Sequence, residues 1–277
     1  MIMETKDIIF PDCWEEVTPS EWEYLLKIRA KLESDNRISL TDVKRAWAHF
    51  VLRSRGWRVG FRAVESLVVL KNASESLDWM WKVHDNGIIE LTFDSTEQLL
   101  PKWRRFRGPK SHGADMSFGE FRHALTYCNA YTKEHQPQML TALCGVLYRK
   151  TGDSKFGQYR EPFNANLVSL YANRVYAMAD YLKWGVYAWF SYFCRFLTEG
   201  TFIIDGNEVC FAPIFGRAKG EGNADQSLGL NSILFSVAES GVFGSVKETD
   251  DAPLLRVLLK LLDDHNKAEA LRKEMKK

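Results

Sequence analysis

Six histidines, His49, His84, His112, His123, His135 and His265, fall in six separate segments, and none of the five cysteines forms a Cys-x-x-Cys pair. A protein-held zinc needs nitrogen and sulfur ligands spaced to meet at one tetrahedral point, so no metal and no cofactor is expected. The cysteines (Cys13, Cys128, Cys144, Cys194, Cys210) are odd in number and set mostly among apolar neighbours, which reads as reduced core thiols. Nucleophilic hydrolysis has no Gly-x-Ser-x-Gly turn to work from, and Ser240-Gly241 is more simply a helix end whose glycine supplies a positive φ. His123 and Cys128 do not share a helix face. Paired acids occur at Glu15-Glu16, Asp250-Asp251 and Asp263-Asp264, but neighbours on a helix point apart and suit helix starts or solvated surface. No catalytic residue is assigned, and the chain is read as a non-enzyme.

The segment with binding content is Lys102-Trp103-Arg104-Arg105-Phe106-Arg107-Gly108-Pro109-Lys110, which lies in a stretch without acids between Glu97 and Asp115. Cations can contact phosphates while Trp103 and Phe106 stack on bases, the combination used on single strands. A second run, residues 53–62, repeats the mixture and offers Arg55 and Arg58. Three readings stay open for these residues: a surface strand or loop anchored by its aromatics, a face for an acidic protein partner, or a nucleic-acid contact. The four-glycine stretch Gly216 to Gly229 lacks the Gly-Lys-Ser/Thr ending of a phosphate cradle and is expected to be a connector or a partner-binding loop.

The elements that must carry these residues are mostly helical. Thr18-Pro19-Ser20-Glu21 is a capping box opening a helix to about Glu33, and Ser39 caps a second to about Leu52. Asp85-Asn86-Gly87 between β-prone runs predicts a hairpin of 79–83 with 88–93, and Asp205-Gly206-Asn207 predicts another of 201–204 with 208–212. Ser117 with Glu120 is a further capping box, leading a helix to about Glu134, and Pro137 opens one to about Arg149. A stripe from Leu167 to Leu197 recurs at three- and four-residue steps, with Gly185 as the point where the helix breaks. Helices over 228–240 and from Thr249 onward complete the pattern, the last ending in a solvated cationic tail.

At 277 residues and 45% hydrophobic content the chain can bury a sizeable core. Its net charge of +1 conceals an asymmetry, since residues 43–114 hold 13 Lys/Arg against 7 Asp/Glu. That asymmetry speaks to partners and association rather than to fold. The most apolar stretch, Trp184 to Cys194, is 11 residues long, and a bilayer span needs about 20. No membrane association is expected, and the residues Met1 to Lys6 lack the apolar run of a signal peptide, which points to the cytoplasm. The expected fold is mainly α, a helical bundle-like body with one or two small β-hairpins, divided into a helical part over 1–78, a hairpin and basic connector over 79–114, and a main helical domain over 115–277.

Several fragments together resemble proteins of the tail-gene modules of bacteriophages and prophages, a group that includes tail assembly chaperones and minor tail components. They are Pro11-Asp12-Cys13-Trp14-Glu15-Glu16-Val17-Thr18; Pro101 and Gly108-Pro109; Ser117-Phe118-Gly119-Glu120-Phe121; Leu147-Tyr148-Arg149; Arg160-Glu161-Pro162-Phe163; and Ala238-Glu239-Ser240-Gly241-Val242-Phe243-Gly244 with the leucine helix after Thr249. The resemblance implies a non-enzymatic factor that binds another tail protein, with the tape measure as one such partner. It would act in the host cytoplasm or travel with the virion. The runner-up is a nucleic-acid-binding protein using 53–62 and 102–110.

Overall fold

The computed structural model describes residues 8–57, 64–154, 157–215, 235 and 237–275, with only the backbone for 153, 154 and 157–159. The 216–229 loop, Arg58, and most of the 228–240 helix lie outside the described residues. The fold is mainly α with small antiparallel strand pairs.

Helices α1 (Pro19–Ser34) and α2 (Leu40–Ser54) form the first layer, each started by a reciprocal capping box, Thr18 with Glu21 and Ser39 with Asp42. Such boxes satisfy amide groups that a helix start otherwise leaves bare. Trp22, Leu25 and Leu26 of α1 face Val43, Trp47 and Val51 of α2 in the core, and Trp47 Nε1 donates to Glu21 O over 2.8 Å. Helix α3 (Val64–Glu75) follows, and β1 (Trp81–Val83) pairs with β2 (Ile89–Leu91) across the Asn86-Gly87 turn. The expected hairpin is thus present but shorter, because Ser76–Met80 is a 3-10 turn.

A four-stranded sheet comes next in space. Strands β3 (Lys102–Trp103) and β4 (Phe106–Arg107) join β5 (Arg149–Ser154) and β6 (Gly157–Arg160), all antiparallel, with Arg107 opposite Arg149. A surface strand anchored by its aromatics is one of the readings of 102–110, but β5, β6 and their pairing with β4 have no counterpart in the sequence pattern. The helix begun by Pro137 therefore stops at Leu147, and Arg149 starts a strand.

Helix α4 (Phe118–Glu134) and α5 (Pro137–Leu147) pack on α6 (Val168–Val175) and α7 (Asp180–Glu199). The apolar stripe is interrupted at 176–179, not at Gly185. Gly185 stays helical, and its missing side chain admits α1: a Cβ there would collide with Leu26 Cδ1. Leu182, Val186, Trp189, Phe190, Phe193 and Leu197 are buried. They share one apolar cluster with α1, α2, α4 and α5.

The second expected hairpin is β7 (Thr201–Ile204) with β8 (Asn207–Cys210). Its two central residues, Asp205 and Gly206, both have positive φ, the geometry that matches strand twist. The final helix runs Leu254–Glu274 rather than starting at Thr249. Ala252 precedes Pro253 and is extended (ψ 146°), as a residue before proline tends to be, so Val246–Asp251 forms its own short helix. Phe118 N donates to Ala252 O and Leu254 N to Met116 O, both at 2.9 Å, tying the chain's end to the start of α4.

Candidate functional site

Glu120 sits in the first turn of α4, where Ser117 Oγ accepts its backbone N–H at 3.2 Å. The reciprocal half of the expected capping box is missing, because the carboxylate turns inward to two arginines. Arg149 Nη2 donates to Glu120 Oε2 at 2.9 Å, and Arg160 Nη2 reaches the same oxygen at 3.0 Å while its Nη1 bonds Oε1. Burial alone would push the Glu120 carboxyl up, but the Arg149 and Arg160 guanidiniums outweigh it and hold the group below the ordinary glutamate range.

Each arginine also closes backbone. Arg149 Nε donates to Glu161 O at 2.6 Å and its Nη1 to Val146 O; Arg160 Nη1 donates to Leu147 O at 2.9 Å and Nη2 to Asp115 O at 3.1 Å. One buried ion triad therefore fastens α4, the end of α5, and strand β6 to each other.

Above the triad lies a cleft of about 1170 Å³. Its floor and walls include Gln98, Arg107, Lys110, Glu120, Arg149 and Arg160, with Pro101, Pro109, Ala114, Pro162, Phe163 and Tyr171 supplying apolar surface. Four of the fragments that carry the tail-module resemblance thus meet around one hollow: Pro101 and Gly108-Pro109, Ser117 with Glu120, Arg149, and Arg160-Glu161-Pro162-Phe163. Gly108 is required where it sits, since a Cβ there would lie 2.9 Å from Tyr148 Cζ.

Two acids of the rim are already paired: Glu161 accepts from Arg174 at 3.0 Å, and Asp251 is bonded by Lys247. Asp250, expected as a solvated helix-start acid, instead takes a bidentate bond from Arg122 at 2.8 and 2.9 Å.

The basic residues singled out in the sequence separate. Arg55 folds back on Glu21, with Nε to Oε1 and Nη2 to Oε2 both 2.9 Å, and its remaining donors reach Ile9 O and Glu16 O. It is a structural clamp and not a surface contact. Phe106 is 3% exposed and cannot stack on a base. Trp103 is half-buried, with its ring stacked on Phe106 at 5.8 Å. Arg104 and Arg105 form the exposed β3–β4 turn, where the Arg104 guanidinium lies 4.8 Å from the Trp103 ring. Lys102 is also exposed and lines a shallow groove with Trp103 and Arg104. Among the described residues of the set, Arg107 and Lys110 alone reach the cleft.

Asp12, Cys13 and Glu16 could bring three ligand atoms together, although Glu16 Oε2 already accepts the Asp12 N–H at 3.2 Å and burial pushes the Cys13 thiol up. Away from the cleft, α3 leaves Val64, Leu67 and Val68 exposed at helical spacing. No helix among the described residues is long and apolar enough to cross a membrane.

Sequence reasoning placed no role on Gln98, Arg149 or Arg160. They carry no local signature, since what unites them is the carboxylate of Glu120 and the hollow beside it. Comparison with protein-family models, with curated proteins and with solved structures finds no match to the chain.

Proposed function

We propose that this chain is a non-enzymatic assembly factor, or a minor component, of a phage tail, and that it seats a segment of another tail protein in the cleft beside Glu120. The observation that supports this most is the cleft's construction. Its charged floor is locked by a buried ion triad, and its walls are three prolines, Phe163 and Tyr171. Stiff apolar walls around a few fixed polar groups suit binding with little ordering cost. Within the cleft the Glu120 carboxylate is held by two guanidiniums, which supports a fixed binding surface there. The exposed apolar face of α3 offers a second contact for a helical or apolar partner segment.

Co-expression with candidate tail proteins, a tape measure protein included, tests the proposal. One of them should co-purify, and Ala114→Trp, which fills the cleft from an exposed position, should abolish the capture. Capture unchanged by that substitution would contradict it.

The nucleic-acid reading keeps one supporting observation, the exposed Arg104-Arg105 turn. It requires oligonucleotide binding that weakens steeply with salt, with a slope of about −0.7 to −0.9 per phosphate neutralised, and that disappears in Arg104→Ala/Arg105→Ala. Binding of that kind near physiological salt would displace the assembly reading.

A further inference from the structure

We propose that the groove behind the β3–β4 hairpin is a second docking surface, separate from the cleft, and that it takes a peptide segment with an acid beside apolar side chains. The acid meets Lys102, Arg104 and Arg105 at the hairpin, and the apolar residues enter the groove. The role of the cleft does not bear on this assignment.

The tip of this hairpin is built against local preference. Hairpins β1–β2 and β7–β8 turn on Asn86-Gly87 and Asp205-Gly206, residue types suited to tight turns. Hairpin β3–β4 turns on Arg104-Arg105 instead, and Arg104 sits at φ 51°, a region that a long side chain enters at a cost. Glycine would be at ease there, so the turn itself has no use for the arginine. Strain of this kind marks positions where the side chain serves something other than the fold.

Charge says what it serves. Lys102, Arg104 and Arg105 are exposed, and none of them has an ion pair among the described residues. The two guanidiniums rest on rings, Arg104 at 4.8 Å from the Trp103 centroid and Arg105 at 5.5 Å from that of Phe106. They are thus held in place with their N–H donors unspent, ready for the planar bond that a carboxylate accepts. Behind them lies a groove of about 340 Å³, lined by the buried Leu100, Met178, Leu182 and Val186 and by the half-buried Trp103 and Tyr181.

A nucleic acid fits this surface less well than a peptide does. A base needs an open ring face, and the Trp103 ring already stacks on Phe106 at 5.8 Å and carries the Arg104 guanidinium. A run of phosphates needs a track of cations, whereas Arg55 of the other basic run is spent on Glu21. Glu23 also stands exposed on the groove and repels a second phosphate, while a peptide can offer one acid to the hairpin and none to Glu23.

The test selects from a displayed library of random short peptides on the full chain, with counterselection on Arg104→Gly/Arg105→Asn. That variant installs a dipeptide suited to a hairpin turn, so its unfolding temperature should equal or exceed that of wild type. Peptides enriched on wild type over the variant should carry aspartate or glutamate beside leucine, isoleucine or an aromatic residue. The best of them, fluorescently labelled, should bind the variant about tenfold more weakly, the worth of one hydrogen bond to a charged group. Lys102→Gln/Arg105→Gln leaves Arg104 and its backbone in place and should weaken the same peptide. Ala177→Trp, at an exposed position on the groove, should abolish its binding.

Enriched peptides without acids, or none that tell wild type from the variant, would overturn the proposal. Indifference of the peptide to Lys102→Gln/Arg105→Gln, or to Ala177→Trp, would overturn it as well. So would a single-stranded oligonucleotide that displaces the labelled peptide at lower concentration than the unlabelled peptide does, since the hairpin would then serve nucleic acid.

Discussion

Arg149 Nη2 and Glu120 Oε2 meet at 2.9 Å with side chains only 3% and 1% exposed, so the pair closes in an interior where neither charge has water to fall back on. Such a pair adds little net stability over an apolar replacement, but removing one partner strands the other. Glu120 is shared with Arg160, so its loss strands two guanidiniums at once.

Glu120→Gln should therefore cost about 3–5 kcal/mol in a denaturant titration. The pH dependence has a definite sign. The folded-state pKa is depressed, so the contribution is complete above the ordinary glutamate value of about 4.3 and is lost as pH falls through the lower folded value. Wild type should lose stability steadily in that acid window, and Glu120→Gln should show a shallower decline there. Equal acid slopes would mean that the triad is not what holds the cleft floor.

Gly145 lets α5 lie close against the backbone of α6, since a Cβ there would lie 2.6 Å from the backbone N of Ala172. Alanine is worth about 1 kcal/mol more than glycine within a helix, yet backbone cannot yield as a side-chain tip can. Gly145→Ala should thus destabilise, by about 1–3 kcal/mol net, as measured by thermal or urea unfolding. A gain in stability would show that α5 and α6 can part at no cost.

What the sequence revealed was whatever is written within one turn or one hairpin. Thr18 with Glu21, Ser39 before Asp42, Asn86-Gly87 and Asp205-Gly206 are local signals, and each stands close to where it was expected. Glu120 shows where this ends: three residues after Ser117 it looks like a capping partner, but its carboxylate is claimed by arginines 29 and 40 positions away. The strands from Arg149 to Arg160 escaped notice because Arg149-Lys150-Thr151-Gly152-Asp153-Ser154 has no alternation of apolar residues, and its partner strand β4 is two residues long. Gly185 misled for a related reason, since its role is to admit Leu26 from another helix. Of the proposed contact residues, Arg107 and Lys110 reach the cleft, while Arg55 is consumed by Glu21 and Phe106 by the core.

Trp189 and Phe193 stack at 5.6 Å with rings 2° apart, both within 1% exposure, and Trp189 Nε1 donates to Thr96 O at 3.0 Å. Truncating either to alanine should cost about 3–5 kcal/mol. Trp189→Phe keeps most of the packing and strands one carbonyl, for about 1–2 kcal/mol. A loss under about 0.5 kcal/mol for either alanine variant would remove the stripe from the core.

The thiols should divide by environment. Burial pushes Cys128 up to about 12 and raises Cys144 and Cys194 as well, leaving almost no thiolate at neutral pH. Cys210 is exposed on β8, which departs from the expectation of five core thiols. With a thiol reagent on native protein, Cys210 should react first, and Cys128, Cys144 and Cys194 only on unfolding. Prompt modification of Cys128 and Cys144 in folded protein would contradict their burial; Cys194 is half-buried, with its thiol also raised by burial.

The central claim is that the cleft beside Glu120 receives another tail protein. A photo-crosslinking amino acid placed at Ala114, exposed on the cleft wall, reports directly on what enters it. During tail assembly this position should yield one discrete crosslinked partner, while the same probe at the exposed Ile203 on β7 yields none of that product. An identical crosslink pattern from both positions, or none from Ala114 while assembly proceeds, would contradict the account.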